Sequence, residues 1–145
     1  FREAIHHLGR NKRKHNISMH LEDDLLMANM DARLIIQVLV NLINNAIKYT
    51  PENSNISLNA RRVENKILIE VQDDGNGVLH PDQLFEMFYT ENNRGGDTRR
   101  GMGLGLSLCK SIIQSHGGTI WVENVTPHGA CFKFVLDAVE VKLYE

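Results

Sequence analysis

Asn41-Leu-Ile-Asn44-Asn45-Ala-Ile-Lys48-Tyr49 is the stretch that decides the fold. It reads as the second half of an amphipathic helix that begins near Asp31. At 100° per residue, Ile35, Ile36, Val38, Leu39, Val40, Leu42, Ile43, Ala46 and Ile47 fill one broad apolar arc. Gln37, Asn41, Asn44, Asn45 and Lys48 fall together on the remaining stripe, where only Leu34 intrudes. A solvent-facing stripe is ordinarily rich in Glu, Lys and Arg. Side-chain amides ending in one lysine form instead a neutral hydrogen-bonding strip with a cation at its end, which suits a phosphate-rich ligand and its Mg²⁺.

The 145 residues suffice for one cored domain and are too few for two. A net charge of −2 supplies no global basic field, which argues against a nucleic acid or an anionic membrane as partner. The longest apolar run, between Arg33 and Asn41, is too short to cross a bilayer, and no charged and apolar leader opens the chain. The abrupt start at Phe1-Arg2-Glu3 is that expected of a piece cut from a longer protein. Cys109 and Cys131 fall on expected core faces without metal-ligand spacing, as in a reduced compartment.

Working outward from the helix, Asp31 is placed to cap its start, and Pro51 to Asn55 ends it with a turn. Ile56, Leu58 and Ala60 alternate as a strand; Ile67, Ile69 and Val71 alternate as a second. The turn between them, Val63-Glu64-Asn65-Lys66, makes an antiparallel hairpin. Upstream, Ile17, Met19 and Leu21 carry a strand signal. Residues 1–14, with His6, His7 and five Arg or Lys side chains, read as the end of a connecting helix running into a basic linker. The two histidines read as solvated, with no acidic neighbour to act as base. Downstream, residues 75–100 are irregular and polar, and so long a segment inside a compact domain is usually functional. A helix follows with Leu108, Cys109, Ile112 and Ile113 at i, i+3, i+4 spacing, ended by Gly117-Gly118. Closing strands are expected around Ile120 to Glu123 and Cys131 to Leu136, with Val125 to Gly129 between them. Strands and helices segregate, which favours α+β.

Asp73 continues the parity of Ile67, Ile69 and Val71, so its carboxylate is expected on the buried side while Asp74 points outward. A buried carboxylate needs a donor. The exocyclic amine of adenine is one candidate; a turn bond to its own backbone before Gly75 is the other. Gly75 and Gly77 are expected to allow positive φ and close approach of a ring. Gly101-Met-Gly103-Leu-Gly105-Leu106 places alternate glycines before a helix, where open amides suit phosphate, although a flexible hinge would look the same. Neither the P-loop nor the dinucleotide fingerprint is matched. Asn45 can offer an oxygen to Mg²⁺, Asn41 a bond to a metal-bound water or a phosphate, and Lys48 a point charge. Tyr49 could pack on a purine or join the core. Arg94, Arg99 and Arg100 could reach a γ-phosphate or simply face solvent.

In their order, these motifs resemble the ATP-binding catalytic domain of bacterial sensor histidine kinases, within the wider gyrase, chaperone, kinase and mismatch-repair ATPase superfamily. Asn41 to Tyr49 is similar to its N box, Asp73 to Gly77 to its G1 box, Leu84-Phe-Glu-Met-Phe-Tyr89 to its F box, and Gly101 to Leu106 to its G2 box. His116-Gly117-Gly118 and Gly129-Ala-Cys-Phe132 match its closing segments. Val38-Leu-Val-Asn-Leu42, Lys48-Tyr-Thr-Pro51 and Gly129 to Phe134 look most like the potassium-responsive KdpD kinases. Departures are Asn44 where these kinases usually carry Asp or Glu, Thr90 for Arg, and Ala130 for Thr.

The resemblance implies a two-layer α/β sandwich, the Bergerat ATP-binding fold: a mixed sheet of about five strands, three helices on one face, and a lid. It divides the chain into a linker end (1–14) from a helical dimerisation domain, a catalytic domain (15–140) and a tail (141–145). ATP and Mg²⁺ are the implied cofactors, with Asn41, Asn45 and Lys48 in catalytic roles and Asn45 as the metal ligand. Tyr49, Asp73, Gly75, Gly77, Val78, Arg100, Gly101, Met102, Gly103, Leu104, Gly105 and Leu106 complete the implied nucleotide site. The implied protein is a homodimeric inner-membrane sensor whose cytoplasmic domain phosphorylates its own dimerisation domain for relay to a response regulator. Two competing readings are a nucleotide-hydrolysing clamp and a non-catalytic binding module. The clamp carries Glu one turn before the metal-binding Asn, and Asn41 is a poor base.

Overall fold

The structure, a computed structural model, describes residues 1–8, 15–21, 28, 30–86 and 105–138. In chain order the elements are α1 (Arg2–Leu8), β1 (Asn16–Leu21), α2 (Ala32–Lys48), β2 (Asn55–Val63), β3 (Lys66–Asp73), α3 (Gly105–Ser115), β4 (Thr119–Asn124) and β5 (Ala130–Asp137). The strands form one five-stranded sheet in the order β1-β2-β3-β5-β4. β1 lies parallel to β2, and every other pairing is antiparallel, so the sheet is mixed. The parallel pair needs a crossover connection, and α2 is the helix within it.

α2 begins where its cap predicts. The Asp31 side chain accepts from the Arg33 N–H, and Ile35, Val38, Leu39, Leu42, Ile43 and Ala46 are buried on one side. They meet Ile56, Leu58, Ile69 and Val71 from the sheet, with Phe132 and Phe134 fully buried between the layers. α3 packs beside α2 on the same sheet face and brings Cys109, Ile112 and Ile113. It ends in a paired-glycine cap: the Gly118 N–H donates to the Ile113 carbonyl at 2.9 Å and the Gly117 N–H to Gln114 at 3.0 Å. Gly117 has φ +74°, and a Cβ on Gly118 would lie 2.1 Å from the Val135 carbonyl oxygen. His116 ties this end to the start of α2. Its Nε2 accepts from the Asp31 N–H at 2.9 Å, so the ring proton sits on Nδ1, which donates to the Ile112 carbonyl at 2.8 Å.

Two features go beyond the pattern of the sequence. The helical reading of the first residues holds for Arg2–Leu8, but this helix packs on α2 and buries Ala4 completely in the core. β1 forms where expected, but its alternation does not carry into burial: only Ile17 is partly buried, and Met19 and Leu21 remain exposed on this edge strand. On the sheet face opposite the helices, Lys133 and Trp121 donate to Glu123 and hold its carboxyl below the usual carboxylate range.

Candidate nucleotide site

The site forms where β3 runs out of the sheet. Asp73 pairs with Ala130 of β5, and Ala130 pairs in turn with Asn124 of β4, so three inward-facing positions lie side by side at one end of the sheet. Asp73 is 2% exposed, on the side its parity predicts. Its Oδ1 accepts from the Gly75 N–H at 3.0 Å and the Ala130 N–H at 3.2 Å. The turn bond is therefore real, and it holds the buried carboxylate in place as well as closing the turn. Ala130, one of the departures from the family's pattern, contributes through its main chain. Asp74 points outward and binds Asn55 through the N–H and the side-chain amide, each at 3.1 Å.

The two glycines of this turn do different work. Gly77 has φ +82°, as expected, and a Cβ there would lie 2.5 Å from Asn124 Oδ1. The expectation of positive φ at Gly75 is corrected: among the described glycines Gly77, Gly117 and Gly129 take it, and Gly75 does not. Gly75 is required for space: a Cβ would lie 2.8 Å from Thr50 Cγ2 and 3.2 Å from Asp73 Oδ1. Asn124 clamps the far side of the turn, accepting from the Val78 N–H at 2.7 Å and donating to the Val78 carbonyl at 2.9 Å. Sequence reasoning missed Asn124, although parity marks it: it continues the sheet face of Ile120 and Val122 as Asp73 continues that of Ile69 and Val71, while itself remaining exposed.

The end of α2 adjoins the same turn. Thr50 and the Tyr49 carbonyl are among the nearest neighbours of Gly75. Tyr49 is half-buried at the helix C-cap, and the Lys48 ammonium rests 5.1 Å from the centre of its ring. Such a contact at a partly exposed site is worth about 0.5–1 kcal/mol, so a phosphate can displace it. One turn back, Asn45 Nδ2 is buried, with no partner among the described residues; an orphaned amide costs about 1–3 kcal/mol. Asn41 lies beside the Cys109 thiol, which donates to the Val38 carbonyl at 3.8 Å. Burial pushes that thiol up to about 12.

Past the turn, Val78, Leu84 and Phe85 are buried, with Phe85 edge-on to Phe132 at 6.0 Å. Gly105 opens α3, and Leu106 packs against the core. No described atom lies within 4 Å of where a Gly105 Cβ would point. The remaining predicted positions, Met87 to Thr90, Arg94, Arg99, Arg100, Gly101, Met102, Gly103 and Leu104, lie outside the described residues. Among the described residues no group of three His, Cys, Asp or Glu side chains could cage a metal. A cation here would rest on few protein ligands together with phosphate and water, which suits Mg²⁺ and the Asn45 amide.

Residues 30–140 match the family of histidine kinase-, DNA gyrase B- and HSP90-like ATPases. The chain is 37% identical over 134 residues to the sensor protein KdpD of Clostridium acetobutylicum, covering 91% of this chain and 15% of that protein. Among solved structures, the catalytic domain of histidine kinase ThkA superimposes with a TM-score of 0.81 at 30% identity, covering 94% of this chain and 90% of that one. ThkA in complex with the response regulator protein TrrA gives 0.78 at 29%, with 95% and 39% covered. The mixed sheet, the helical layer and the buried aspartate turn thus have a family, and the chain belongs to it: it is a histidine kinase-, DNA gyrase B- and HSP90-like ATPase domain, of the ATP-binding catalytic type found in sensor histidine kinases.

Proposed function

We propose that this domain binds ATP with Mg²⁺ between the amide stripe of α2 and the Asp73 turn. In the intact protein it would present the γ-phosphate to a histidine on a separate helical dimerisation domain. The observation that carries this reading is the Asp73 carboxylate, buried and fixed by two main-chain donors, beside a helix whose Asn45 amide nitrogen has no partner among the described residues. Asp73 accepts from the adenine amine; Gly75, Gly77 and Val78 border the ring; Tyr49 packs at its edge. Asn45 supplies an oxygen to Mg²⁺, Asn41 a bond to a metal-bound water or phosphate, and Lys48 a charge. Arg100 and Gly101 to Leu106 would contact the phosphates. Mg²⁺ supplies charge neutralisation at the transferring group, while the side chains position it. The attacking nitrogen comes from the partner domain, so this chain alone binds nucleotide without phosphorylating itself.

The wider assignment has the same status. The KdpD relative is far longer than this chain, which supports a sensor with further domains; a homodimer acting from the inner membrane, with this part in the cytoplasm, belongs to the same proposal. No helix among the described residues is long and apolar enough to cross a membrane. The ThkA–TrrA complex supports a receiver domain as the next partner. The test is transfer in trans. Incubating this chain with γ-labelled ATP, Mg²⁺ and the separately produced dimerisation domain of its parent protein should label a histidine with acid-labile phosphate. A folded, nucleotide-bound chain that leaves the dimerisation domain unlabelled, under conditions where the intact protein labels itself, would refute the kinase role.

A further inference from the structure

His15 stands immediately before β1 and is buried, although nothing in its sequence neighbourhood marks it. Its Nε2 lies 2.8 Å from the Thr50 hydroxyl, 35 residues along the chain. That hydroxyl has one proton and gives it to the Ala46 carbonyl at 2.6 Å. It can therefore only accept from His15, which places the ring proton on Nε2. The other ring nitrogen, Nδ1, is buried and has no partner among the described residues. Among those residues the ring is oriented by its bond to Thr50. Thr50 in turn is held between two partners, so its rotamer is fixed and its methyl is aimed at the Asp73 turn. Thr50 Cγ2 is the atom that a Cβ on Gly75 would meet first, at 2.8 Å, and Asp73 Oδ1 is the next.

We propose that His15 is a positioning residue for adenine recognition, acting through Thr50 on the Gly75 turn that carries Asp73. This rests on the nucleotide reading given above. The chain of contacts runs from the Nε2–H to the Thr50 hydroxyl, from the Thr50 methyl to Gly75, and from the Gly75 N–H to the carboxylate. A loosened Thr50 lets the turn relax and misplaces the acceptor that distinguishes adenine from guanine. Contacts to the triphosphate are made elsewhere and are unaffected.

The substitutions follow from the bonding. His15→Leu removes the donor. His15→Gln keeps an N–H donor at similar reach and sacrifices nothing at Nδ1, which has no partner to lose among the described residues. Thr50→Ser keeps the hydroxyl and deletes the methyl. For each variant, affinities for ATP and GTP are measured by competition against trinitrophenyl-ATP, alongside the melting temperature. His15→Leu and Thr50→Ser should each lower the ATP-over-GTP preference about five-fold, the loss of roughly one ordinary hydrogen bond, and His15→Gln should restore it. A folded His15→Leu with a lower melting temperature but an unchanged ratio would overturn the proposal, reducing the ring to a packing element. If His15→Leu does not fold, an unchanged ratio in Thr50→Ser overturns it equally. Asp73→Asn is the control: should it bind ATP as well as the wild type, the nucleotide reading itself has failed and this proposal with it.

Discussion

Replacing Asp73 by Asn and by Ala separates recognition from architecture. The carboxylate Oδ1 holds the Gly75 and Ala130 N–H groups at 3.0 and 3.2 Å. Asn retains an oxygen there, so both bonds survive with a neutral acceptor. The weakening is partly offset because a charge no longer has to be buried, and the net stability change should stay within about 1 kcal/mol. Toward a nucleotide the consequence is larger. An amine donor in the ligand would meet an amide N–H₂ in place of a carboxylate oxygen, forfeiting a charged hydrogen bond of about 1.5–3 kcal/mol, or roughly 10- to 150-fold in Kd. Ala removes the acceptor altogether and strands two buried N–H groups at about 1–3 kcal/mol each. It should therefore unfold at clearly lower denaturant concentration than either wild type or Asn. Chemical denaturation gives the first quantity and calorimetric titration with ATP the second. If the Asn variant is as stable as wild type and binds ATP equally well, Asp73 is a turn residue only. If Asn destabilises as much as Ala, the carboxylate's charge is structural.

Three further outcomes follow from the geometry. Gly77→Ala should cost less in an Asn124→Ala background than alone, because the clash at 2.5 Å with Asn124 Oδ1 is gone, leaving the φ of +82° and the 3.2 Å approach to the Gly129 carbonyl oxygen; additive costs in a denaturation cycle would contradict the clamp. Glu64→Asn should raise stability by about 0.5–1 kcal/mol, since Glu64 sits at φ +55° in the β2–β3 hairpin turn, where Asn is better tolerated; an unchanged or lower melting temperature would refute this. Burial pushes both thiols, Cys109 and Cys131, from 9.0 up to about 12. With the folded values raised, their contribution to stability is complete below pH 9 and is lost as the pH rises toward 12. Iodoacetamide at pH 8 should thus leave the native chain unmodified and label both cysteines once denaturant unfolds it; rapid native labelling would refute the burial.

Much of this fold was legible because periodicity and caps act locally. The arc from Ile35 to Ala46, the Asp31 cap and the Gly117-Gly118 stop each depend on residues within a turn or two of one another. Asp73 was legible for a related reason, since strand parity carries the facing of Ile69 and Val71 forward to it. What sequence did not yield depends on distant partners. Ala4 is core because α1 docks on α2, and no periodicity announces that. Gly75 looked like a backbone requirement and is a steric one, imposed by Thr50 from the end of another element. Asn124 bore the same parity mark as Asp73 but lacked a glycine motif to draw the eye. His15 carried no mark at all, because its bond to Thr50 reaches across 35 residues.

The central claim is that the α2 amides and the Asp73 turn form one nucleotide site, and isothermal titration of this chain with ATP in the presence of Mg²⁺ tests it most directly. A single saturable exothermic site, weakened by Asp73→Asn, and by Asn45→Ala only when Mg²⁺ is present, is the result expected. A folded chain that unfolds cooperatively yet gives no heat of binding with ATP and Mg²⁺ would contradict it.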